Sequence, residues 1–396
     1  MIGPRDDWWQ GTLVASQLAL VLVLLTGSGL LLRSFTRLVQ VDPGFEVEGA
    51  AVLTLQLSAQ RYGQPGQGLA FMQELERKVE AAPGVAATIT GGVPPTGGGF
   101  YIDATPEAEG FAKAGSSGVK LPYQAVASDY FETMGIAMRQ GRPFEHGEPD
   151  NVVVVNDVMA RRLWGEVSPI GRRMRVSAKQ PWWTVVGVAA DVKSMGPSDP
   201  MGEGLEFYRP LLSTQRTAFF AMVVRAPGDP SGMLPSLTQR VWGIDPKQPI
   251  ADAETMAARM AGAVVRPQFF MRLALAFAAI ATLLAAIGVY GVAAYWVSRR
   301  KRELAIRMAL GASRREVVGM VMARSARLAT IGSVAGIGIA MWGAKAIESM
   351  LFQVDARDPM TLFAVTVMLG LLAVLASTLP AVTASRVDPM SVLRAE

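Results

Sequence analysis

The chain has 396 residues, a net charge of +5, no cysteine and one histidine. That composition excludes disulfides and a cysteine nucleophile, argues against a zinc site of the usual Cys and His ligands, and leaves the redox compartment unread. A hydrophobic share of 51% with a positive mean hydropathy is high for a soluble protein and comes from long apolar runs, so the chain reads as a membrane protein.

Residues 1–11 lack the basic start of a secretory signal. Residues 12–32 follow as an uncharged apolar run, which at 1.5 Å per residue spans about 30 Å, enough for the hydrocarbon core. Gly27 and Gly29 within it suit close helix contact. The helix is expected to continue outward through Arg33 and Arg37 as a stalk, so the first span with its stalk occupies 12–37, and Asp42-Pro43-Gly44 stops it. No run in residues 38–265 is long and apolar enough to cross a membrane; the core of that segment, 38–254, is large enough for one domain or two small ones. Strands are expected at 52–57, 151–155, 182–188 and 219–225, and helices at 71–80, around 160–164 with Asn156 or Asp157 as cap, and at 233–242. Strands and helices mix without a βαβ rhythm, so the segment is α+β. Residues 91–99 and 196–204 read as loops, His146 as an exposed loop histidine, and Asp103, Glu107 and Glu109 as acids of a solvated loop.

Residues 255–266 look helical, with Pro267 at a membrane boundary, which predicts a second stalk entering the bilayer with a kink and a second span ending near 298. A cytoplasmic loop follows at 299–316, with seven Lys or Arg between Arg299 and Arg315. So dense a basic cluster beside a span marks the inner side, and parity then places residues 38–254 outside and the N-terminus inside. The net positive charge comes largely from this block and gives no reason to infer nucleic-acid binding. A short helix is expected from Lys301 to Gly311, and Ser313-x-x-Glu316 reads as a capping box for the next helix. The third span, 317–350, keeps Arg324 and Arg327 at its inner interface and carries Gly332-x-x-x-Gly336, a helix-packing pattern. An outer loop, 351–360, ends in Asp358-Pro359, an N-cap with proline at the first helical position. The fourth span is 361–380, and 381–396 is a cytoplasmic tail with a last short helix at 390–396. The fold class is a membrane protein with four transmembrane helices, one plus three, and a large α+β extracytoplasmic domain between the first and second.

The basic loop 299–315, the tail 380–396 and this one-plus-three layout resemble the FtsX/MacB-type permeases of ABC transporters. The outer segment resembles that family's periplasmic domain in Ser128-Asp129-Tyr130-Phe131-Glu132-Thr133-Met134-Gly135, in Gly141-Arg142-Pro143-Phe144, in 156–171 and in Val185-Val186-Gly187-Val188. Within the family the chain is most similar to one module, the second, of the tandem-duplicated permeases of acidobacteria and relatives, so it is expected to be half of a longer ancestor or a fragment. The resemblance implies a MacB-like periplasmic core domain at 38–254, with a porter-like part and a smaller inserted part, and an FtsX-like permease domain at 269–396. It implies a bacterial inner-membrane protein with both termini in the cytoplasm, and partners comprising the lipid bilayer, a cytoplasmic ABC ATPase, a second permease module in a homodimer or heterodimer, and a periplasmic adaptor or effector.

It also implies that Arg302, Glu303, Leu304, Ile306, Arg307, Met308, Leu310 and Gly311 form a coupling helix docking on the ATPase. At 3.6 residues per turn Leu304 and Met308 share one face, and Ile306, Ala309 and Leu310 another. One face is expected to rest on the spans and the other to enter a groove on the ATPase, with Glu303 and Arg307 paired along the helix and Gly311 closing it in a left-handed conformation. No Gly-x-x-x-x-Gly-Lys-Ser/Thr occurs, so ATP is expected to be bound and hydrolysed by another chain, and this one is expected to have no cofactor and no catalytic or metal site. No Gly-x-Ser-x-Gly elbow occurs either. The implied activity is transmission of ATPase-driven motion to the outer domain, for efflux or mechanotransmission. The rival class is a membrane-anchored sensor or scaffold without a transport cycle.

Overall fold

The computed structural model describes residues 5–64, 66–95, 100–111, 119–194, 204–211, 219–310, 312–348 and 351–385. The chain divides into two compact units, residues 1–40 with 266–396, and residues 41–265. Helix α1 (Arg5–Val39) opens the first unit.

The second unit is an α+β domain. Its strands in chain order are β1 (Ala50–Gln56), β2 (Ala86–Thr90), β3 (Phe100–Ala104), β4 (Glu107–Ala108), β5 (Val119–Val126), β6 (Met138–Gly141), β7 (Val152–Asn156), β8 (Arg173–Arg175), β9 (Trp183–Ala189), β10 (Phe207–Pro210), β11 (Phe219–Arg225) and β12 (Ile250–Thr255). They form one mixed sheet in the order β12-β1-β11-β2-β5-β10-β7-β9-β8-β4, with β3 added on β5 and β6 on β9. The helices are α2 (Ala59–Tyr62), α3 (Gln67–Glu80), α4 (Tyr130–Thr133), α5 (Asp157–Trp164), α6 (Leu234–Trp242) and α7 (Met256–Ala263).

Strand alternation divides the core. Leu53 and Leu55 of β1 face one side with Ile89, Met222 and Val224, and there α3 contributes Phe71, Met72, Leu75 and Val79 and α6 contributes Leu237 and Val241. Val52 points the other way, into a cluster with Tyr130 and Phe131 of α4, Val154, Tyr208 and Val223. β7 is buried along its whole length, with Val153 and Val155 packed under Met159, Leu163 and Trp164 of α5. A run of valines buried on both faces needs covering layers, and α4 and α5 supply them. Asn156 joins β7 to α5: its Oδ1 accepts from Met159 N–H at 3.1 Å and Glu206 N–H at 3.1 Å, and its Nδ2 donates to Asp191 Oδ1 at 2.9 Å and to the Gly204 carbonyl at 2.6 Å.

Three expectations change here. Residues 256–263 do not stand as a stalk, because α7 packs on its own sheet: Met256 is in the core, and the buried Arg259 guanidinium sits 3.0 Å from Glu254 and 3.7 Å from Asp252 of β12. The helix breaks at Val264, and Pro267 falls in the first turn of the next helix, where its missing N–H is tolerated. Glu107 is not an acid of a solvated loop: on β4 it is buried and pairs with Arg175 of β8, whereas Glu109, in the turn after β4, is exposed and pairs with Arg173. The expected loops at 91–99 and 196–204, and the short helix at 390–396, lie wholly or partly outside the described residues.

The first unit resumes with α8 (Val265–Arg299), α9 (Lys301–Ala309), α10 (Arg314–Glu348) and α11 (Pro359–Ser385). Among the described residues four helices, α1, α8, α10 and α11, are long and apolar enough to cross a membrane. Pro359 stands at the first position of α11, and Asp358 caps it by accepting from Thr361 N–H at 2.9 Å. The C-terminal end of α1 is not free either. Arg33 pairs with Asp358, Ser34 Oγ accepts from Phe352 N–H at 2.8 Å, and Arg37 donates to the Gln353 carbonyl.

Candidate functional site

Only Arg300 separates α8 from α9, so the chain turns tightly where the apolar run gives way to arginine. On α9 the side chains divide by period. Leu304 and Ala305 are buried, and Met308 is half-buried beside them. Leu304 and Met308 pack in one cluster with Ala293, Trp296 and Val297 of α8, Val317 and Val321 of α10, and Ala381 and Ala384 of α11. The opposite face carries Ile306 and Leu310, 43% and 83% exposed, with Arg302, Glu303 and Arg307 also on the surface. An exposed leucine on a helix whose other face is already packed is a surface uncovered by the described residues. Glu303 and Arg307 pair at 2.7 Å along the helix, and Arg307 Nη1 also donates to Met320 Sδ at 3.1 Å.

The helix ends at Ala309, and the Ala312 N–H reaches back to the Arg307 carbonyl at 3.0 Å. Gly311, expected to close it, lies outside the described residues. The next helix starts with a reciprocal cap: Glu316 Oε2 accepts from Ser313 N–H at 3.0 Å and Ser313 Oγ from Glu316 N–H at 3.4 Å.

Gly332 and Gly336 lie farther along α10, against α1. A Cβ on Gly332 would stand 2.8 Å from the Ala15 carbonyl oxygen and 2.8 Å from Leu18 Cβ. One on Gly336 would stand 2.8 Å from the Ala19 carbonyl oxygen and 3.0 Å from Leu22 Cβ. The two helices therefore touch backbone to backbone, the geometry small residues permit in a membrane. On α1 the expectation divides. A Cβ on Gly29 would meet Thr361 of α11 at 3.1 Å, whereas Gly27 has nothing within 4 Å and makes no close helix contact.

The α9 residues and the two glycines are thus two separate sets on one helical unit, joined by α10. Sequence reasoning missed Trp296, whose ring lies between the guanidinium groups of Arg300 at 5.0 Å and Arg324 at 5.5 Å. The signal was available for Arg300, four residues on in a helical run, and absent for Arg324, which arrives from another helix. Ala15 and Ala19, which face the glycines, carried no signal beyond their size.

Comparison with known proteins places this architecture. The model of the MacB-like periplasmic core domain matches residues 18–233, over half of the chain, and that of the FtsX-like permease C-terminal matches residues 275–389. The chain belongs to the FtsX/MacB-type permease family. It is 29% identical over 304 residues to the macrolide export ATP-binding/permease protein MacB of Hahella chejuensis, covering 70% of this chain and 43% of that protein. It is 32% identical over 145 residues to the pyoverdine export ATP-binding/permease protein PvdT of Pseudomonas fluorescens, covering 36% and 22%. This permease therefore spans less than half the length of the curated relatives it matches. Among solved structures, the periplasmic region of MacB from Actinobacillus actinomycetemcomitans aligns with a TM-score of 0.38 at 13% identity, covering 57% of this chain and 97% of that one. Family membership supports the role of an ABC transporter permease, and four apolar helices with a periplasmic-type domain fit an inner-membrane protein.

Proposed function

We propose that this permease receives the motion of a separate cytoplasmic ABC ATPase through α9 and transmits it to the domain between its first two spans, for efflux or mechanotransmission. In this reading the loop 299–316 and both termini are cytoplasmic and the sheet domain is periplasmic. ATP is bound and hydrolysed by the ATPase, a second permease module completes the transporter, and a periplasmic adaptor or effector engages the outer domain. The observation that carries it is the division of α9: Leu304 is buried in a cluster with three spans while Ile306 and Leu310 are exposed. Such a helix can be seated in the permease and still offer an apolar ridge to a groove on a partner.

The test replaces the exposed ridge, Ile306→Asp with Leu310→Asp, and measures ATPase co-purification and stimulated hydrolysis in nanodiscs. The protein should fold as before, since neither side chain is needed by the core, and both co-purification and stimulation should fall at least about tenfold, the loss of roughly 1.4 kcal/mol of contact. Unchanged co-purification and hydrolysis would remove α9 as the ATPase contact and favour a sensor or scaffold.

A further inference from the structure

Helix α3 borders an open cleft of about 400 Å³ in the sheet domain. The cleft is bounded by α3, the end of β2, the turn 127–129 before α4, the loop 144–148 and the end of β10. Its floor is apolar, from Leu69, Ile89, Val126 and Phe144. Its titratable groups are Glu76 and Glu80 from α3, Asp129 from the turn, and Glu145, His146 and Glu148 from the loop; β10 contributes Pro210 and Leu211, which do not titrate.

These acids are unequally provided for. Arg142 sits 2.7 Å from Glu148 and 3.4 Å from Glu145, so the loop carboxylates share a cation. On α3, Arg77 and Lys78 are engaged by Glu74, at 2.7 and 3.8 Å. Asp129 Oδ1 accepts from Thr88 Oγ1 at 3.0 Å, and Glu80 Oε1 accepts from Ala87 N–H at 3.4 Å. Glu76 Oε1 is enclosed and has no hydrogen-bond partner. His146 contacts Ser128 Oγ at 3.1 Å, tying the loop to the turn beside Asp129. Among the described residues lining the cleft there is no lysine or arginine.

A half-buried carboxylate such as Glu76, without a cation or a donor, is costly, and the nearby carboxylate of Asp129 repels it. Both costs vanish when a proton is bound. Burial, followed by the charges of Asp129 and Glu80, pushes Glu76 up to about 8. Burial also raises Asp129, against the opposing hydrogen bond from Thr88.

We propose that this cleft is a proton-controlled gate: with Glu76 or Asp129 protonated, α3 rests against the turn 127–129 and the loop 144–148, and with both ionised α3 draws away and the cleft widens. The moving parts are in place. α3 is amphipathic and keeps its apolar contacts on the sheet through Met72, Leu75 and Val79, so it can tilt about that buried face while its cleft side separates. The gate goes beyond the permease reading and does not depend on α9.

The absence of cysteine makes the test clean, because Gln73→Cys on α3 and Pro149→Cys beyond the loop are both exposed and carry the only thiols. Spin labels there, in the full chain in nanodiscs, report the gap by electron–electron resonance from about pH 5 to about pH 9. The distance should lengthen with a midpoint near the value of about 8 given by Glu76. It should become independent of pH in the isosteric Glu76→Gln/Asp129→Asn background, and keep its pH dependence in His146→Gln. A distance constant across the range, a shift that survives Glu76→Gln/Asp129→Asn, or a shift abolished by His146→Gln alone would each overturn the gate.

Discussion

Replacing Gly332 or Gly336 by alanine adds one methyl group where α10 meets the backbone of α1. Ordinary contact starts near 3.4 Å and the new carbon would sit 2.8 Å from a carbonyl oxygen at either site, so the helices must separate locally by about 0.6 Å. Neither obstacle is a flexible side-chain end; carbonyl oxygens of a spanning helix move only with the helix. Overpacking of this kind costs about 1–3 kcal/mol. Against it stands the better helix propensity of alanine, about 1 kcal/mol. The net expectation is a loss of about 1 kcal/mol for each single substitution. Both sites face the same helix one turn apart, so the double substitution should cost less than the two losses together, since one separation relieves both. Gly338 supplies the control: it is exposed and nothing lies within 4 Å of its added carbon, so Gly338→Ala should leave stability unchanged or raise it by up to about 1 kcal/mol. Thermal unfolding of the detergent-solubilised protein reads the difference as a fall in Tm for the first pair and none for the control. If Gly332→Ala and Gly336→Ala stabilise as much as Gly338→Ala, the backbone contact does not govern this interface and the argument fails.

Three further outcomes follow from particular side chains. Glu76 binds its proton more tightly folded than unfolded, so its contribution is fully present below about 4.5 and is lost as pH rises towards about 8. Discounted for partial exposure, the loss is about 2 kcal/mol, and chemical denaturation at both ends of that range should show it in the native chain and not in Glu76→Gln. Asn156→Ala removes a buried side chain that caps α5 and bonds Asp191, Gly204 and Glu206, so it should destabilise the sheet domain by about 2–4 kcal/mol in urea unfolding. Asp358→Ala removes the cap of α11 and the partner of Arg33 together and should lower stability by about 1 kcal/mol, whereas Arg33→Gln, which spares the cap, should cost less in the same melt.

The membrane helices were legible because the criterion for a span is local: length and apolarity suffice, and tertiary contacts need not be known. The two faces of α9 were legible for the same reason, since helical period alone separates Leu304 and Met308 from Ile306 and Leu310. Strands β1, β7, β9 and β11 announced themselves through valine and leucine runs. β12 did not. Its residues, Ile250 to Thr255, alternate small and acidic groups with little β propensity, and only pairing with β1, some two hundred residues earlier, makes them a strand. That pairing in turn holds Asp252 and Glu254 against Arg259, which turned an expected stalk into part of the domain. The same non-local dependence hid the partners of Gly332 and Gly336, the arrival of Arg324 beside Trp296, and the cleft, whose acids come from three separate segments. A sequence displays what each element is prepared to bury; which element it meets is decided by the topology.

The contacts within the helical unit determine how a push on α9 would be distributed under the proposed coupling. Leu304 touches α8, α10 and α11 through one cluster, so the push enters three spans at a single buried point. From α10 it passes to α1 with little slack, because Gly332 and Gly336 leave no side chain between the two backbones to deform. At the far end α1 is held again, by Arg33 on Asp358 and Ser34 on Phe352, to the loop that joins α10 to α11. α1 is therefore fixed to α10 along the Gly332–Gly336 contact and to the α10–α11 loop at its far end. α8 shares an apolar cluster with α1 through Ala285 and Val289, places Gly288 against Gln17, and accepts a hydrogen bond from Ser28 Oγ at the Ala274 carbonyl at 2.9 Å. Apolar contacts of this type slide at less cost than ion pairs or interlocked backbones break. The compliant seam in this permease is thus the one between α8 and α1, and α8 is also the span that continues directly from the sheet domain in the chain. Cross-linking α8 to α1 through Gly288→Cys and Gln17→Cys should abolish ATPase-driven change in the outer domain, whereas cross-linking α1 to α10 through Gly11→Cys and Leu328→Cys should leave it intact. Equal effects of the two cross-links would show that the helices do not divide in this way.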